Sequence, residues 1–168
     1  MKILLCGDIN SGKTTLIQRL LADMSAAPRG YITVRMPEVD GVSNVYLYDI
    51  ANPPERVEDA AVIMAISDIG TEKHPELLDT LGVRYLTGIP AGSVVVLDEI
   101  GSLETASPEF QKAVMRILSG DYTVLAAVKA ANTDFLRAVR RHPDCELYII
   151  TPDNRDALYA QLKEEYNI

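Results

Sequence analysis

Short apolar runs alternate along this chain with longer segments whose apolar residues recur at helical spacing. A short, continuous apolar run is typical of a strand buried on both faces of a parallel sheet. The predicted strands are Ile3–Cys6, Val94–Leu97, Tyr122–Val128 and Glu146–Ile150. The predicted helices are Lys13–Met24, Pro108–Leu118, Thr133–Arg141 and Pro152–Tyr166. This alternation predicts an α/β fold with a mostly parallel sheet flanked by helices.

The segment between the first helix and Val94 departs from this alternation. Tyr31–Arg35 and Val42–Ile50 are rich in β-branched and aromatic residues and are separated by a turn-forming stretch, so they predict an inserted antiparallel hairpin. The pattern of Val57–Ile66 fits a helix or a strand equally well, whereas Pro75–Leu86 predicts an amphipathic helix.

Composition limits the classes of protein to consider. The chain has 168 residues, of which 48% are hydrophobic and 24% charged, so we expect one globular domain covering residues 1–168. The net charge of -8 repels a phosphate backbone, and we expect no nucleic-acid partner. Only a locally built site would hold a phosphate group against this charge.

The sequence also indicates the cellular compartment and whether a membrane is involved. The two cysteines, Cys6 and Cys145, are too few for a disulfide framework. The apolar start of the chain is too short for an export signal, and no apolar stretch reaches the roughly 18 residues of a membrane span. We therefore expect a soluble, cytoplasmic protein with no membrane partner; the sequence identifies no protein partner.

One motif has specific chemistry, and it lies between the first predicted strand and the first predicted helix. It matches GxxxxGK[ST] in full. Its residues are Gly7, Asp8, Ile9, Asn10, Ser11, Gly12, Lys13 and Thr14. In such a P-loop the backbone amides and the helix N-terminus surround the phosphates of a nucleotide. Lys13 is expected to bridge the β and γ phosphates and Thr14 to bind Mg²⁺, while Thr15 is a candidate for the α phosphate.

A second motif supplies acidic groups. Val94–Leu97 leads directly into Asp98 and Glu99. We expect Asp98 to hold Mg²⁺ and Glu99 to orient the attacking water, at the end of a strand beside the P-loop. The Asp-Glu pair is typical of P-loop proteins with a catalytic glutamate, and the chain has no guanine-selecting Asn-Lys-x-Asp sequence.

With both motifs in place, Asp98–Glu104 resembles the Asp-Glu-Ile-Gly-Lys-Met-Glu run of a nucleoside-triphosphatase family. Members occur in thermophilic microbes and, as cancer-related nucleoside triphosphatase, in animals. The resemblance extends to Gly30–Arg35 and Thr151–Arg155. It implies a RecA-like domain that hydrolyses ATP, GTP and other triphosphates to diphosphates with Mg²⁺ and little base selectivity. Ser102 departs from the pattern, because the family usually has lysine there.

Several cations are secondary candidates near the phosphates. Lys129 ends the third predicted buried strand, on the same edge as the P-loop, where it is either a surface lysine or a neutraliser of the γ phosphate in place of the missing lysine. Arg35, or else Arg29 or Arg84, is a candidate arginine finger supplied by the same chain.

The residues after the last predicted strand have two interpretations. Thr151, Asn154 and Arg155 are candidates to face the base or sugar, but Thr151 followed by proline is also typical of a helix N-cap, which we favour. His74 and His142 each precede proline and are interpreted as loop residues rather than metal ligands.

Three functions fit these residues. The first is an NTPase in which Lys13 and Glu99 are catalytic. The second is a small-molecule or nucleotide kinase, with the hairpin and the ambiguous segment forming an acceptor lid. The third is a nucleotide-gated assembly adaptor in which slow hydrolysis resets a protein contact.

Overall fold

The computed structural model describes residues 1–168 and shows one mixed sheet with helices on both faces. The strands are β1 (Lys2–Gly7), β2 (Arg29–Arg35), β3 (Val42–Asp49), β4 (Ala61–Ser67), β5 (Gly70–Lys73), β6 (Val94–Ile100), β7 (Thr123–Lys129) and β8 (Glu146–Ile149). The helices are α1 (Lys13–Met24), α2 (Pro75–Leu77), α3 (Val83–Tyr85), α4 (Pro108–Ser119), α5 (Asp134–Arg140) and α6 (Arg155–Tyr166). Two 3₁₀ turns, Val57–Asp59 and Leu103–Ala106, and a π-helical turn, Leu78–Gly82, complete the elements.

The eight strands are ordered β5-β4-β3-β2-β6-β7-β1-β8. Every pairing from β2 through β6, β7 and β1 to β8 is parallel, and every pairing from β2 to β5 is antiparallel. The predicted α/β class and the mostly parallel sheet flanked by helices are therefore confirmed.

Each face of the parallel strands covers its own apolar core. Ile3 and Leu5 of β1 point to the face covered by α1 and α6, and Leu4 between them points to the opposite face. The opposite face packs against α4 and α5, with Phe110 at its centre beside Tyr31. Burial on both faces explains why the central strands are continuous apolar runs in the sequence.

The predicted hairpin is confirmed, and it is longer than the sequence indicated. β2 and β3 pair antiparallel, and β4 and β5 extend the same antiparallel ladder to the sheet edge. The ambiguous segment Val57–Ile66 is therefore a 3₁₀ turn followed by most of β4. Periodicity alone did not separate these states because β4 is neither wholly buried nor cleanly alternating.

The regular helix predicted for Pro75–Leu86 is wrong in its interior. Two short α-helical turns flank the π-helical turn Leu78–Gly82. Tertiary contacts with the start of α4 accompany this widening: the Asp79 carboxylate accepts a hydrogen bond of 2.8 Å from the Phe110 N–H. A Cβ on Gly82 would lie 2.6 Å from the Phe110 ring. Hydrophobic spacing contains no information about such contacts.

The predicted start of the last helix is also wrong. Asn154, rather than Thr151, occupies the N-cap position, and α6 begins at Arg155 instead of Pro152. Thr151 and Asn154 form a separate turn: the Thr151 N–H donates to Asn154 Oδ1 at 2.8 Å, and the Asn154 N–H donates to Thr151 Oγ1 at 3.3 Å. These reciprocal hydrogen bonds hold the residues between Thr151 and Asn154 in a loop, whereas the predicted N-cap at Thr151 had placed them in the helix.

Two further expectations concern histidines and membranes. His142 lies in a loop as expected but is buried, with a ring nitrogen 3.0 Å from Ser119 Oγ. No group of three or more His, Cys, Asp or Glu side chains is arranged to hold a metal ion by itself. None of the helices has the length and apolar character needed to cross a bilayer.

Gly30 provides a test of how tightly β2 and β6 approach each other. Its φ is +106°, and an added Cβ would lie 2.1 Å from the Val96 carbonyl oxygen. We expect Gly30→Ala to lower the free energy of unfolding by well over about 3 kcal/mol, because both backbone strain and a backbone clash result. Denaturant unfolding followed by circular dichroism measures this change.

The matched control is Gly88→Ala, at a φ of +70° with no atom within 4 Å of the new Cβ. Only the left-handed conformation opposes alanine there, at a cost of about 1–2 kcal/mol. Equal losses in the two variants would contradict the close approach of β2 and β6.

Candidate nucleotide-binding site

Three parallel strands end at the same edge of the sheet and bring the candidate residues together. β1 ends at Gly7, which pairs in register with Lys129 at the end of β7. β6 lies on the other side of β7 from β1, and its carboxyl end still reaches the P-loop, where Asp98 contacts Thr14. Lys129 therefore lies between the P-loop and the acidic motif, where its side chain is 38% exposed and lines the same cleft.

An irregularity in β6 turns both acidic residues toward the site. Leu97 pairs with Ala126 and Ile100 with Val128, so Asp98 and Glu99 together face one residue of β7. Such a bulge redirects side chains that strict alternation would send to opposite faces. The Glu99 N–H leaves the ladder and donates to Thr33 Oγ1 of β2 at 3.1 Å.

The loop between β1 and α1 is held by close backbone contacts. A Cβ on Gly7 would lie 2.3 Å from the Ile150 carbonyl oxygen, and one on Gly12 would lie 2.7 Å from Cδ of Arg155. Gly12 also has a φ of +97°, which favours glycine. The two glycines of the motif thus let the loop pack against the residues that follow β8. Asp8, Ile9 and Asn10 are exposed at the loop tip, and Ser11 is buried.

Lys13 is buried under this loop, with 6% of its side chain exposed. Its Nζ donates to the carbonyl oxygens of Gly7 at 2.9 Å and Asp8 at 2.8 Å. The same ammonium lies 3.1 Å from Glu99 Oε2. A buried ammonium needs such partners, so the loop and Glu99 together hold the cation at the N-terminus of α1.

Thr14 and Asp98 are connected across the site. Thr14 Oγ1 donates to Asp98 Oδ1 at 3.2 Å, while Oδ2 of the same carboxylate is buried with no partner. Burial raises the pKa of Asp98 to about 6, and the hydrogen bond from Thr14 and the charge of Lys13 only partly oppose this increase. Thr15, the next residue of α1, is exposed toward the same cleft.

A cleft of about 450 Å³ connects these residues to the antiparallel part of the sheet. Arg35 and Arg155 both line it, so two of the secondary candidates are near the phosphate loop. The side chain of Arg35 is oriented by a hydrogen bond of 2.9 Å, which its Nε donates to Ser43 Oγ. Ser102 lies on the rim and provides no charge where the resembling family has lysine.

The other secondary candidates do not line this cleft. They are Arg29, Arg84, Thr151 and Asn154. Arg29 begins β2 at the opposite end from the bulge, and Arg84 lies over the ring of Tyr85. Thr151 and Asn154 mainly hold their own turn.

Sequence reasoning missed one buried acid in the site. Glu104 lies in the 3₁₀ turn after β6, is 4% exposed and lines the cleft, and its Oε2 has no hydrogen-bond partner. Burial raises its pKa, and hydrogen bonds from the backbone of Gly101 and Glu104 oppose the increase only in part. The signal in the sequence was the position of Glu104 at the end of the Asp98–Glu104 run that carries the family resemblance.

This arrangement of strand, glycine loop and helix, with a buried lysine facing an acidic strand end, defines a P-loop nucleotide-binding protein. The model of the NTPase family matches residues 2–163, and the chain belongs to that family.

The names of similar proteins agree with this assignment. The nucleoside-triphosphatase THEP1 of Methanothermobacter thermautotrophicus is 26% identical, with 96% of this chain and 94% of that protein aligned. THEP1 of Thermofilum pendens is 39% identical over 95 residues, which cover 55% of this chain and 52% of that protein. The crystal structure of THEP1 from the hyperthermophile Aquifex aeolicus has the same fold, with a TM-score of 0.75 over 96% of both chains at 21% identity.

The buried carboxyl of Glu104 generates a pH prediction. Its pKa is higher in the folded protein than in the unfolded chain, so the folded state binds this proton more tightly and loses stability as the pH rises through the raised pKa. Glutamine has no proton to lose. The Tm of Glu104→Gln relative to that of the wild type should therefore rise as the pH increases from acidic toward neutral values.

Differential scanning calorimetry at several pH values measures this difference. Glu109→Gln, on the exposed surface of α4, is the matched control and should show little change with pH. A Tm difference for Glu104→Gln that stays constant over the same range would show that Glu104 is not a buried, titrating acid.

Proposed function

We propose that this chain hydrolyses nucleoside triphosphates to the diphosphate and phosphate at the cleft beside Gly7–Thr14, with residues 1–168 acting as one domain. The observation that carries the proposal is the convergence on one small volume of four side chains from two elements, Lys13 and Thr14 of α1 and Asp98 and Glu99 of β6. Membership of the NTPase family and the names of its THEP1 relatives support the same reaction.

Lys13 is the cation that contacts the transferring phosphoryl group. Its ammonium is held by two loop carbonyls and by Glu99. The β and γ phosphates of a bound nucleoside triphosphate offer stronger, fully charged acceptors at the same helix N-terminus. Binding therefore exchanges the Glu99 contact of Lys13 for phosphate contacts and stabilises the charge that develops in the transition state.

The chain's own residues fit a Mg²⁺ ion at Thr14 and Asp98. Hydroxyl and carboxylate oxygens are the ligands that Mg²⁺ prefers, and one buried oxygen of Asp98 has no partner in the protein. Thr14 already donates to the other oxygen and so fixes the carboxylate in place. When bound there, Mg²⁺ would neutralise charge on the β and γ phosphates. Deprotonated Asp98 is required for this role, which favours binding above the pH at which this carboxyl titrates.

Glu99 is the group that orients the attacking water. It lies directly after Asp98 at the strand end, with 20% of its side chain exposed to the cleft, and its backbone is fixed by Thr33. Once Lys13 engages phosphate, Glu99 Oε2 becomes free to accept a proton from water in line with the γ phosphate.

A second candidate function, phosphate transfer to a small acceptor, is favoured by one observation. The cleft continues past the acidic motif along an apolar wall formed by Val45, Ile63, Met64, Ile66 and Leu103. An apolar wall on the far side of the γ phosphate is a suitable surface for an acceptor as well as for excluding bulk water. Acceptor-dependent ADP formation with negligible phosphate release would support this candidate.

Phosphate release by the purified protein with Mg²⁺ and ATP, GTP, CTP or UTP tests the proposed function. We expect Glu99→Gln to retain nucleotide while its kcat falls on the order of 100-fold or more, because the variant keeps the shape of the site but loses the base. Lys13→Ala should lose both nucleotide affinity and turnover, since it removes the phosphate contact itself.

The control is Lys112→Met on the exposed face of α4, where Lys112 pairs only with Glu109. Its kcat and KM should match those of the wild type. Full turnover by Glu99→Gln would contradict hydrolysis at this site, and nucleotide binding without turnover in the wild type would favour the phosphotransferase.

A further inference from the structure

Lys129 is placed in the cleft by the sheet itself. It is the last residue of β7 and pairs with Gly7, the first residue of the phosphate loop. Its carbonyl oxygen accepts a hydrogen bond of 2.9 Å from Arg140 Nη1, which also donates to the Ala131 carbonyl at 3.0 Å. The backbone at this strand end is therefore fixed from two sides, by a parallel ladder and by a guanidinium from α5.

The side chain of Lys129 passes close over Gly101, the residue that follows β6. An added Cβ on Gly101 would lie 3.1 Å from Cδ of Lys129 and 3.4 Å from its Nζ. The alkyl stem thus lies over the Gly101 backbone, and the ammonium projects beyond it into the cleft. A side chain at position 101 would crowd this stem, so the lysine would have to shift by a few tenths of an ångström.

The carboxylate of Glu99 is shared between two lysines. Its Oε2 lies 3.1 Å from Nζ of Lys13, and its Oε1 lies 3.4 Å from Nζ of Lys129. Arg35 and Arg155 line the same cleft but form no ion pair with Glu99. Glu99 is therefore held at both oxygens, from α1 on one side and from β7 on the other.

Binding of a triphosphate should affect the contacts of Glu99 with Lys13 and with Lys129 differently. Lys13 lies in the phosphate loop and transfers to the incoming phosphates, whereas Lys129 is carried by a strand whose end is fixed. Loss of the Lys13 contact would leave a flexible glutamate side chain free to rotate among several rotamers. A remaining ion pair at Oε1 would keep Oε2 directed toward the attacking water.

We propose that Lys129 is a positioning residue for hydrolysis, which orients Glu99 through Oε1 while Lys13 binds the phosphates. This inference rests on the proposed function of Glu99. It assigns to β7 the cation that Ser102 does not supply from the acidic motif, and it makes Gly101 the residue that lets the lysine reach its partner.

Steady-state kinetics of Lys129→Met and Lys129→Arg test the proposal. Methionine keeps the stem over Gly101 and removes only the charge, so kcat should fall on the order of 10- to 100-fold, the range associated with misplacement of a catalytic group. KM and the Kd for MgATP should change by less than about twofold, because the residue does not hold the phosphates in this proposal. Arginine restores a cation and should recover most of kcat.

The matched control is again Lys112→Met, which removes an exposed lysine outside the cleft. Unchanged kcat in Lys129→Met would overturn the proposal, because the ion pair between Lys129 and Glu99 would then have no role in turnover. A raised KM or Kd with unchanged kcat would also overturn it, because Lys129 would then be a phosphate-binding residue. Circular dichroism of each variant confirms that the fold is intact.

A double-mutant cycle with Glu99→Gln separates this inference from the proposed function. If Lys129 acts through Glu99, Lys129→Met should cause little further loss of kcat in the Glu99→Gln background. Multiplicative losses would show that the two residues act independently and would overturn the proposal. Full activity of Glu99→Gln alone would instead contradict the proposed function itself.

Discussion

The hydrogen-bonded register of three parallel strands determines where Lys129, Asp98 and Glu99 lie relative to the phosphate loop. β1, β7 and β6 end at one edge, and their pairing places Gly7 beside Lys129 and both beside the bulge at Asp98 and Glu99. A shift of one residue would turn Lys129 to the opposite face of the sheet, because side chains alternate along a strand. The apolar residues buried on both faces fix this register, so the two cores and the polar site specify each other.

Lys13, the cation proposed to contact phosphate, has its charge balanced by groups of the protein itself. Lys13 is buried, and a buried ammonium without partners would destabilise the fold. Two loop carbonyls and Glu99 provide those partners until a nucleotide replaces them. The backbone of the phosphate loop and the acidic strand end thus hold this cation together.

Local patterns in the sequence predicted the parts of the site that lie within a few residues of one another. The glycine loop, Lys13, and Asp98 with Glu99 are each encoded in a short segment, as are the strands and helices around them. Strand order is not encoded in this way. The position of Lys129 beside Glu99 depends on β7 inserting between β1 and β6, and that follows from packing across the whole sheet.

Burial was the other quantity that the sequence concealed. Glutamate in a turn usually lies on the surface. The turn after β6 is covered, however, and Glu104 is only 4% exposed. The π-helical turn Leu78–Gly82 and the late start of α6 likewise arise from tertiary contacts and local side-chain bonds. The two neighbours of β1 in the sheet, β7 and β8, come from the last third of the chain, and Arg155 of α6 packs against Gly12. During synthesis the phosphate loop is therefore among the first segments made but among the last to acquire its walls, so a partly translated chain carries the motif without the site.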